Sequence, residues 1–376
     1  MSGVVLTGVT GFLGAHLAAA LLQHTDTTVY CLIRAEGLGA ARRRLQERVA
    51  ALGPLQYPER LVPVCVDIEH PSLGLTRRDW DELADHTAAI HHCAAAVHLT
   101  AGYRELAAAN VGGTRELLKL AETAAARRGH VVAFHFVSTL GVFIDARRAG
   151  MTTVDETTTP TMTTAGPLGY PRSKVAAERE LRRADERGVT PVVYRPGLIT
   201  GRSDTGLAIS GDLLAPLLLA TVALRAKPDG LWATPMETVD QVARQQAVLA
   251  TTHPPAGRAF HLIHPEPQHL DHATAALERA GFHLRTVPAA QWENLLNTHA
   301  THTALAPLAR LGPVGRRLAG IDPNYTAPTI HSDRTWAALS RAGMRPVNVG
   351  EAYFDKLIDG LAPQLFKIKP IPTYSQ

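Results

Sequence analysis

The stretch GVVLTGVTGFLGAHLAAALL, residues 3 to 22, constrains this 376-residue chain more than any other. A short apolar, β-branched run leads into a turn carrying Gly8, Gly11 and Gly14, and an Ala/Leu-rich segment without a helix breaker follows. The expected order is strand, tight turn, helix. Glycines in such a turn let the backbone approach a pyrophosphate, and the free N–H groups and positive dipole of the helix start hold its charge. The spacing is G-x-x-G-x-x-G rather than G-x-G-x-x-G. By itself it does not separate a dinucleotide site from a glycine turn kept for packing.

The next apolar run narrows the choice of ligand. TTVYCLIR, residues 27 to 34, reads as a second buried strand and ends in Arg34. In a dinucleotide-binding unit an Asp or Glu at this point takes a ribose 2′-hydroxyl, whereas an arginine accommodates a 2′-phosphate. Arg34 therefore points to NADPH. Arg42, Arg43 and Arg44 follow on an expected helix, where one could reach the same phosphate and at least two belong to a solvated basic face.

Further strands are expected at LVPVCVDI (61–68), AAIHHCAAAV (88–97), HVVAFHFVST (130–139) and PVVYRPG (191–197), with a helix over 105–127. The third strand ends in Asp67-Ile68, where an adenine would lie, and the fourth runs into the small residues Ala94 to Ala96, which let the chain pass close to a cofactor. The fifth ends in Ser138 and Thr139; hydroxyls at the carboxyl end of a parallel strand face the ligand crevice of an open α/β sheet. His91, His92, Cys93 and His98 match no zinc spacing and alternate between strand faces, so no metal is expected.

Tyr170 and Lys174, in GYPRSKVAAE, lie four residues apart. On a helix they share one face, about 6 Å apart along the axis. A phenol donates its proton slowly unless its anion is stabilised, and a neighbouring ammonium does that. Y-x-x-x-K is common by chance, but here it follows a glycine turn, Arg34 and a hydroxyl-ended strand.

The fold class expected is α/β, a Rossmann-type doubly wound parallel sheet with a smaller, mainly helical C-terminal substrate lobe. Residues 1–205 form the NADPH-binding domain, with 233–266 returning to it, and residues 206–232 and 267–376 form the lobe. Hydrophobic residues at 45% and charged ones at 19% describe a soluble globular chain. A net charge of +4 suits an anionic cofactor but falls short of a nucleic-acid footprint. Cys31, Cys65 and Cys93 sit in or beside apolar runs, so buried thiols in a reducing compartment are expected. With no basic leader and the first apolar residues used in a strand and a helix, the expectation is a cytoplasmic protein without a membrane span, and a monomer.

Taken together, TGVTGFLG, VYCLIRA, NVGGT, FVST, GYPRSKVAAE and YRPGLITGRSDTG closely resemble the thioester reductase group of extended short-chain dehydrogenases/reductases. These are the terminal reductase domains of nonribosomal peptide and polyketide synthetases and of carboxylic acid reductases. The resemblance spans nearly the whole chain. It implies a catalytic set of Thr139, Tyr170 and Lys174. It also implies cofactor contacts from Gly8, Thr10, Gly11, Phe12, Leu13 and Gly14 of the turn, and from Arg34, with Arg44 second to it, at the phosphate. Asp67 and Ile68 would meet the adenine, with Ala94, Ala95, Ala96, Asn110, Pro196 and Gly197 along the crevice beside Tyr170 and Lys174. The implied substrate is an acyl or peptidyl thioester on a phosphopantetheinylated carrier protein, reduced by NADPH to an aldehyde, with an alcohol as the product of any second reduction.

The chain departs from the family pattern at Val175, where Trp is usual, and at Val66, where Gly is usual. The first bears on helix packing and the second slightly on the adenine pocket. Met1 stands almost directly before the first strand, and a freestanding reductase acting in trans is the expectation. Three other activities share the framework: an acyl-CoA reductase, a sugar-nucleotide epimerase or dehydrogenase disfavoured by Arg34, and a non-redox Dieckmann-type cyclase disfavoured by the intact Tyr170, Lys174 and glycines. An NADPH-sensing module without turnover is the least expected, given the large C-terminal lobe.

Overall fold

A run that is apolar on both alternating faces must be covered on both sides, and β1 (Gly3–Thr7) is buried at every position. Six more strands join it: β2 (Thr28–Ile33), β3 (Leu61–Cys65), β4 (Thr87–His92), β5 (Val132–Val137), β6 (Val189–Pro196) and β7 (Arg258–Leu262). They form one sheet of order β7-β6-β5-β4-β1-β2-β3, and every pairing is parallel. In this computed structural model residues 3–98, 100–207, 214–230, 233–252, 258–310, 312 and 327–371 are described.

The period of two decides which side chains meet which helices. Val4 and Leu6 pack to one side with Leu17 and Leu21 of α1 (Phe12–His24), Leu45 of α2 (Leu38–Ala50) and Ala243 of the helix Val239–Thr252. Val5, with Phe134 and Phe136, packs to the other side. There it meets Leu83 of α3 (Arg77–His86), Leu117 and Leu120 of α4 (Gly113–Arg128), and Leu181 of α5 (Gly169–Leu181). Fully buried leucines such as Leu6 and Leu17 each contribute roughly 1.5–3 kcal/mol over exposure. Pro63, which cannot donate to a ladder, sits in β3 at the sheet edge.

From β1 the chain runs outward to β2 and β3, then crosses back to place β4 on the other side of β1. Ligands of open α/β sheets bind at such a reversal, beyond the carboxyl ends of the strands. The glycine turn follows β1 and Ala94 to Ala96 follow β4, so both border that crevice.

Contacts divide the chain into two compact units. The first comprises Met1–Pro196, Asp240–Leu262 and Thr329–Arg345; the second comprises Gly197–Val239, Ile263–Pro328 and Pro346–Gln376. The partition differs from the sequence expectation at three places. Residues 197–205 belong to the second unit, because Leu198–Thr200 pairs in parallel with Met236–Thr238. The returning segment is 240–262 rather than 233–266. Residues 329–345 rejoin the first unit, where Thr329-Ile330 pairs with Thr153-Val154, and Glu156 accepts both the N–H and the hydroxyl of Thr335.

Two local expectations also change. The helix expected over 105–127 is Tyr103–Ala107 and α4 joined by a π-type turn at Ala108–Gly112. Within the apolar stretch expected to be helical over 206–232, the helix spans Leu214–Leu224, and residues 208–213 and 231–232 lie outside the described residues. All three cysteines are free, but only Cys31 is buried; Cys65 and Cys93 are half-buried because both stand at or just past strand ends.

Candidate active site

The glycine turn is built from close backbone approaches. Gly8 has φ +78°, and a Cβ there would stand 2.8 Å from the Ala94 nitrogen. At Gly14 a Cβ would overlap the Gly8 carbonyl oxygen, so only glycine lets α1 start against the turn. Gly11 is the N-cap of α1, with no side-chain cap and no acidic residue in the first turn. Its own N–H is taken by the Gly8 carbonyl at 2.8 Å, while Gly11 is exposed and Thr10, Phe12 and Leu13 are half-buried. An uncapped helix start under a cradle that excludes side chains fits a pyrophosphate.

Arg34, just past β2, extends an exposed side chain with Nη1 3.3 Å from Oε1 of Glu69. Arg44 on α2 donates to the Arg34 carbonyl, which brings the two arginines together, while Arg42 and Arg43 are exposed. Arg48, one turn beyond Arg44, escapes the sequence reading; its Nε donates to the Thr10 carbonyl at 2.8 Å and ties α2 to the glycine turn. The i, i+4 spacing of Arg44 and Arg48 is the signal that could have found it.

Asp67 Oδ1 accepts the Glu69 N–H at 3.0 Å, which shapes the turn after β3. Ile68 packs where a Cβ on Gly113 would stand, 3.0 Å from its Cδ1. Val66, at the unusual position before Asp67, is buried and part of the core rather than of the turn surface.

Asn110 lies in the π-type turn and is buried. Its Oδ1 accepts the Ala96 N–H at 2.7 Å, and its Nδ2 donates to the Ala96 carbonyl at 3.0 Å and to Ser173 Oγ at 2.9 Å. Ser173 Oγ in turn donates to the Tyr170 carbonyl at 2.7 Å. One amide thus joins the crevice segment Ala94–Ala96 to the first turn of α5. Ala94 N–H donates to Thr7 Oγ1 at 3.0 Å, which fixes the other end of that segment.

Tyr170 and Lys174 both project from α5. Gly169, at its first position, would drive a Cβ into the Ala101 carbonyl oxygen, so glycine permits the close docking of this end. Lys174 is buried at 2% exposure; its Nζ donates to the Val137 carbonyl at 2.7 Å and stands 4.6 Å from the centre of the Phe136 ring. Burial pulls its ammonium down to about 8, against smaller upward pulls from Cys93 and Glu178. Burial pushes the half-buried Tyr170 phenol up to about 12. The Tyr170 hydroxyl has no hydrogen-bond partner among the described residues.

The two hydroxyls ending β5 separate by role. Ser138 is buried and its Oγ donates to Oε1 of Glu178 at 2.6 Å. Thr139 is half-buried; its Oγ1 accepts the Gly141 N–H at 3.0 Å and keeps its own hydrogen to donate. The side chain of Val175, where the family has Trp, is fully buried.

The histidines of β4 and β5 are core groups. His92 bridges Thr7 Oγ1 at 2.8 Å and Thr114 Oγ1 at 3.1 Å, and His91 stacks on His135 with ring centres 4.4 Å apart. Burial holds all three below the usual histidine range. No group of three metal-ligating side chains occurs among the described residues. Pro196 ends β6, and Gly197 opens the second unit, where a Cβ would collide with the Pro235 carbonyl oxygen.

This sheet, glycine turn and Tyr/Lys helix define an NAD(P)-dependent oxidoreductase of the extended short-chain dehydrogenase/reductase class. The male sterility protein family model matches residues 6–245. A linear gramicidin synthase from Brevibacillus parabrevis is 32% identical over 95% of this chain, which covers 7% of that protein. The L-2-aminoadipate reductase large subunit of Penicillium chrysogenum is 30% identical over 98% of the chain, which covers 28% of it. Among solved structures, the terminal R domain from the myxalamid PKS-NRPS biosynthetic pathway superposes with a TM-score of 0.86 at 29% identity, covering 99% of this chain and 93% of that one. The chain belongs to this family, alongside the terminal reductase domains of nonribosomal peptide synthetases, the thioester reductases. It spans only a small part of the synthetases it matches. No helix among the described residues is long and apolar enough to cross a membrane.

Proposed function

We propose that the protein uses NADPH to reduce an acyl or peptidyl thioester, carried on the phosphopantetheine arm of a carrier protein, and releases an aldehyde. The observation that carries this most is the buried Lys174 one turn beyond Tyr170 on α5, beside a strand end that leaves Thr139 free to donate. The glycine cradle and uncapped start of α1 fit a pyrophosphate, and Arg34 with Arg44 fits a 2′-phosphate better than a bare ribose. The match to a terminal R domain favours a substrate delivered by a carrier rather than one that diffuses in free. A cytoplasmic setting suits the three free thiols.

When bound, NADPH supplies a hydride to the thioester carbonyl carbon. Negative charge then gathers on the carbonyl oxygen, and Thr139 Oγ1 and the Tyr170 hydroxyl donate to it. Donors aimed at developing charge are worth about 10²–10³ in rate each. Tyr170 passes its proton to the oxygen, giving a hemithioacetal, and the Lys174 ammonium stabilises the phenolate left behind. Collapse of the hemithioacetal breaks the carbon–sulfur bond and frees the thiol and the aldehyde. A second cycle on the aldehyde gives an alcohol. Lys174 also orients the nicotinamide ribose.

Purified protein mixed with NADPH or NADH and one acyl group, loaded on a carrier protein or on coenzyme A, tests the proposal. Cofactor oxidation with NADPH and the loaded carrier, well above that with the other combinations, is expected. Equal turnover of the coenzyme A ester would remove the carrier's role.

A further inference from the structure

The segments that carry the catalytic groups meet at a buried ion pair that the chemistry above does not use. Glu178 and Arg195 each have side chains 5% exposed. Arg195 grips the carboxylate with two nitrogens, Nε to Oε1 at 3.2 Å and Nη2 to Oε2 at 2.9 Å. Two such bonds on a planar fork fix orientation as well as distance.

Each partner reaches further. Glu178 Oε1 also accepts the Ser138 hydroxyl at 2.6 Å, and Ser138 directly precedes Thr139. Arg195 Nη1 donates to the Thr158 carbonyl at 3.1 Å, and its guanidinium lies 5.1 Å from the centre of the Phe143 ring. Phe143 closes the short 3₁₀ turn that Thr139 caps. On α5, Tyr170, Lys174 and Glu178 are spaced i, i+4 and i+8, so they share a helix face.

Resting on the thioester-reductase reading above, we propose that Glu178 is a positioning residue that sets the Tyr170–Lys174 face of α5 against the Ser138–Thr139 end of β5. Its carboxylate is the point where α5, the end of β5 and, through Arg195, β6 and the loop at Thr158 are hydrogen-bonded together. Ser138 belongs to this tie, which leaves Thr139 as the hydroxyl that can meet substrate. The carboxylate also acts on Lys174 through space. Lys174 is faced by His92 and Cys93 from the end of β4, by the Val137 carbonyl and Phe136 ring of β5, and by Glu178 on its own helix. Cys93 and Glu178 pull its ionisation upward, against burial, so loss of the Glu178 charge lowers it.

The test is Glu178→Gln in the full chain, with Glu178→Asp beside it. NADPH fluorescence followed against pH reads the charge of Lys174 with no thioester present, because a neutral Lys174 holds the ribose and phosphates less well. In Glu178→Gln the alkaline loss of binding moves below the native midpoint near 8. Turnover falls about ten- to a hundredfold, as expected for misplaced groups, with KM for NADPH within about twofold, and Glu178→Asp recovers part of it. An unmoved midpoint together with near-native turnover overturns the proposal. If Glu178→Gln fails to fold, Ser138→Ala decides, since it cuts one tie and leaves the ion pair: reduced kcat at an unchanged melting temperature supports the positioning role, and unchanged kcat refutes it. A native protein that binds NADPH but reduces no thioester refutes only the thioester reading, because the midpoint shift is measured without substrate.

Discussion

Lys174 Nζ donates to the carbonyl oxygen of Val137 at 2.7 Å, an atom of the strand that ends one residue before Ser138. The ammonium is therefore held on the sheet rather than on its own helix, and its position relative to the strand end does not depend on a flexible four-carbon stem. With a 2%-exposed side chain drawn down to about 8, Lys174 is close to losing its proton at ordinary working pH. Turnover should fall as pH rises through about 8, since the cationic form is the one that stabilises the phenolate. A pH–kcat profile checks this; a flat profile up to the range of an ordinary lysine contradicts it.

Tyr170→Phe removes only a hydroxyl that bonds to no described residue. NADPH affinity should stay within about twofold while kcat falls about 10²–10³-fold. Single-turnover kinetics with a fluorescence titration separate the two, and near-normal turnover would remove Tyr170 as proton donor.

Arg34→Asp places a carboxylate beside Glu69, whose Oε1 lies 3.3 Å from the present guanidinium. NADPH should bind about ten- to a hundredfold more weakly, the size of a lost charge-assisted contact, while NADH is affected much less. Calorimetric titration with both cofactors measures the ratio, and equal losses would contradict the role given to Arg34.

Gly14→Ala drives a methyl into the Gly8 carbonyl oxygen. Backbone cannot yield as a side-chain tip does, so the cost is roughly 1–3 kcal/mol or more. The melting temperature should fall, and added NADPH should no longer raise it.

His91, His92, His135 and His261 are all held below the ordinary histidine range, chiefly by burial. An unfolded chain takes up protons there near 6.5, whereas the native protein does so only near 4 for His135 and His261 and near 3 for His92. The unfolded state thus binds more protons below 6.5, so the stability present above that pH is lost as pH falls. Each histidine contributes up to about 1.4 kcal/mol per pH unit within its window. Melting temperatures should drop steeply between about pH 6.5 and pH 4, and a flat curve there would contradict the burial of these rings.

The parallel sheet was legible because its strands are buried on both faces and read as continuous apolar runs, as in GVVLT and VAFHFV. Gly8 and Gly14 were legible because no other residue tolerates their positions. The clamp of Asn110 on Ala96 and Ser173 was not, since it joins three separate segments and depends on a π-type turn that no periodicity marks. Nor could sequence divide Ser138 from Thr139; only the Glu178 carboxylate beneath one of them does so. The return of residues 329–345 to the first unit rests on a two-residue strand and the Thr335–Glu156 bonds, too short a pattern to show in sequence.

Following the hydride itself tests the proposed reaction most directly. Carrier-bound thioester is incubated with the protein and NADPH bearing deuterium at the transferring position, and the released product is analysed by mass spectrometry. One deuterium at the former carbonyl carbon of a released aldehyde, with one NADPH oxidised per molecule, is the result expected. Release of an acid or a ring without deuterium, and without loss of NADPH, would contradict it.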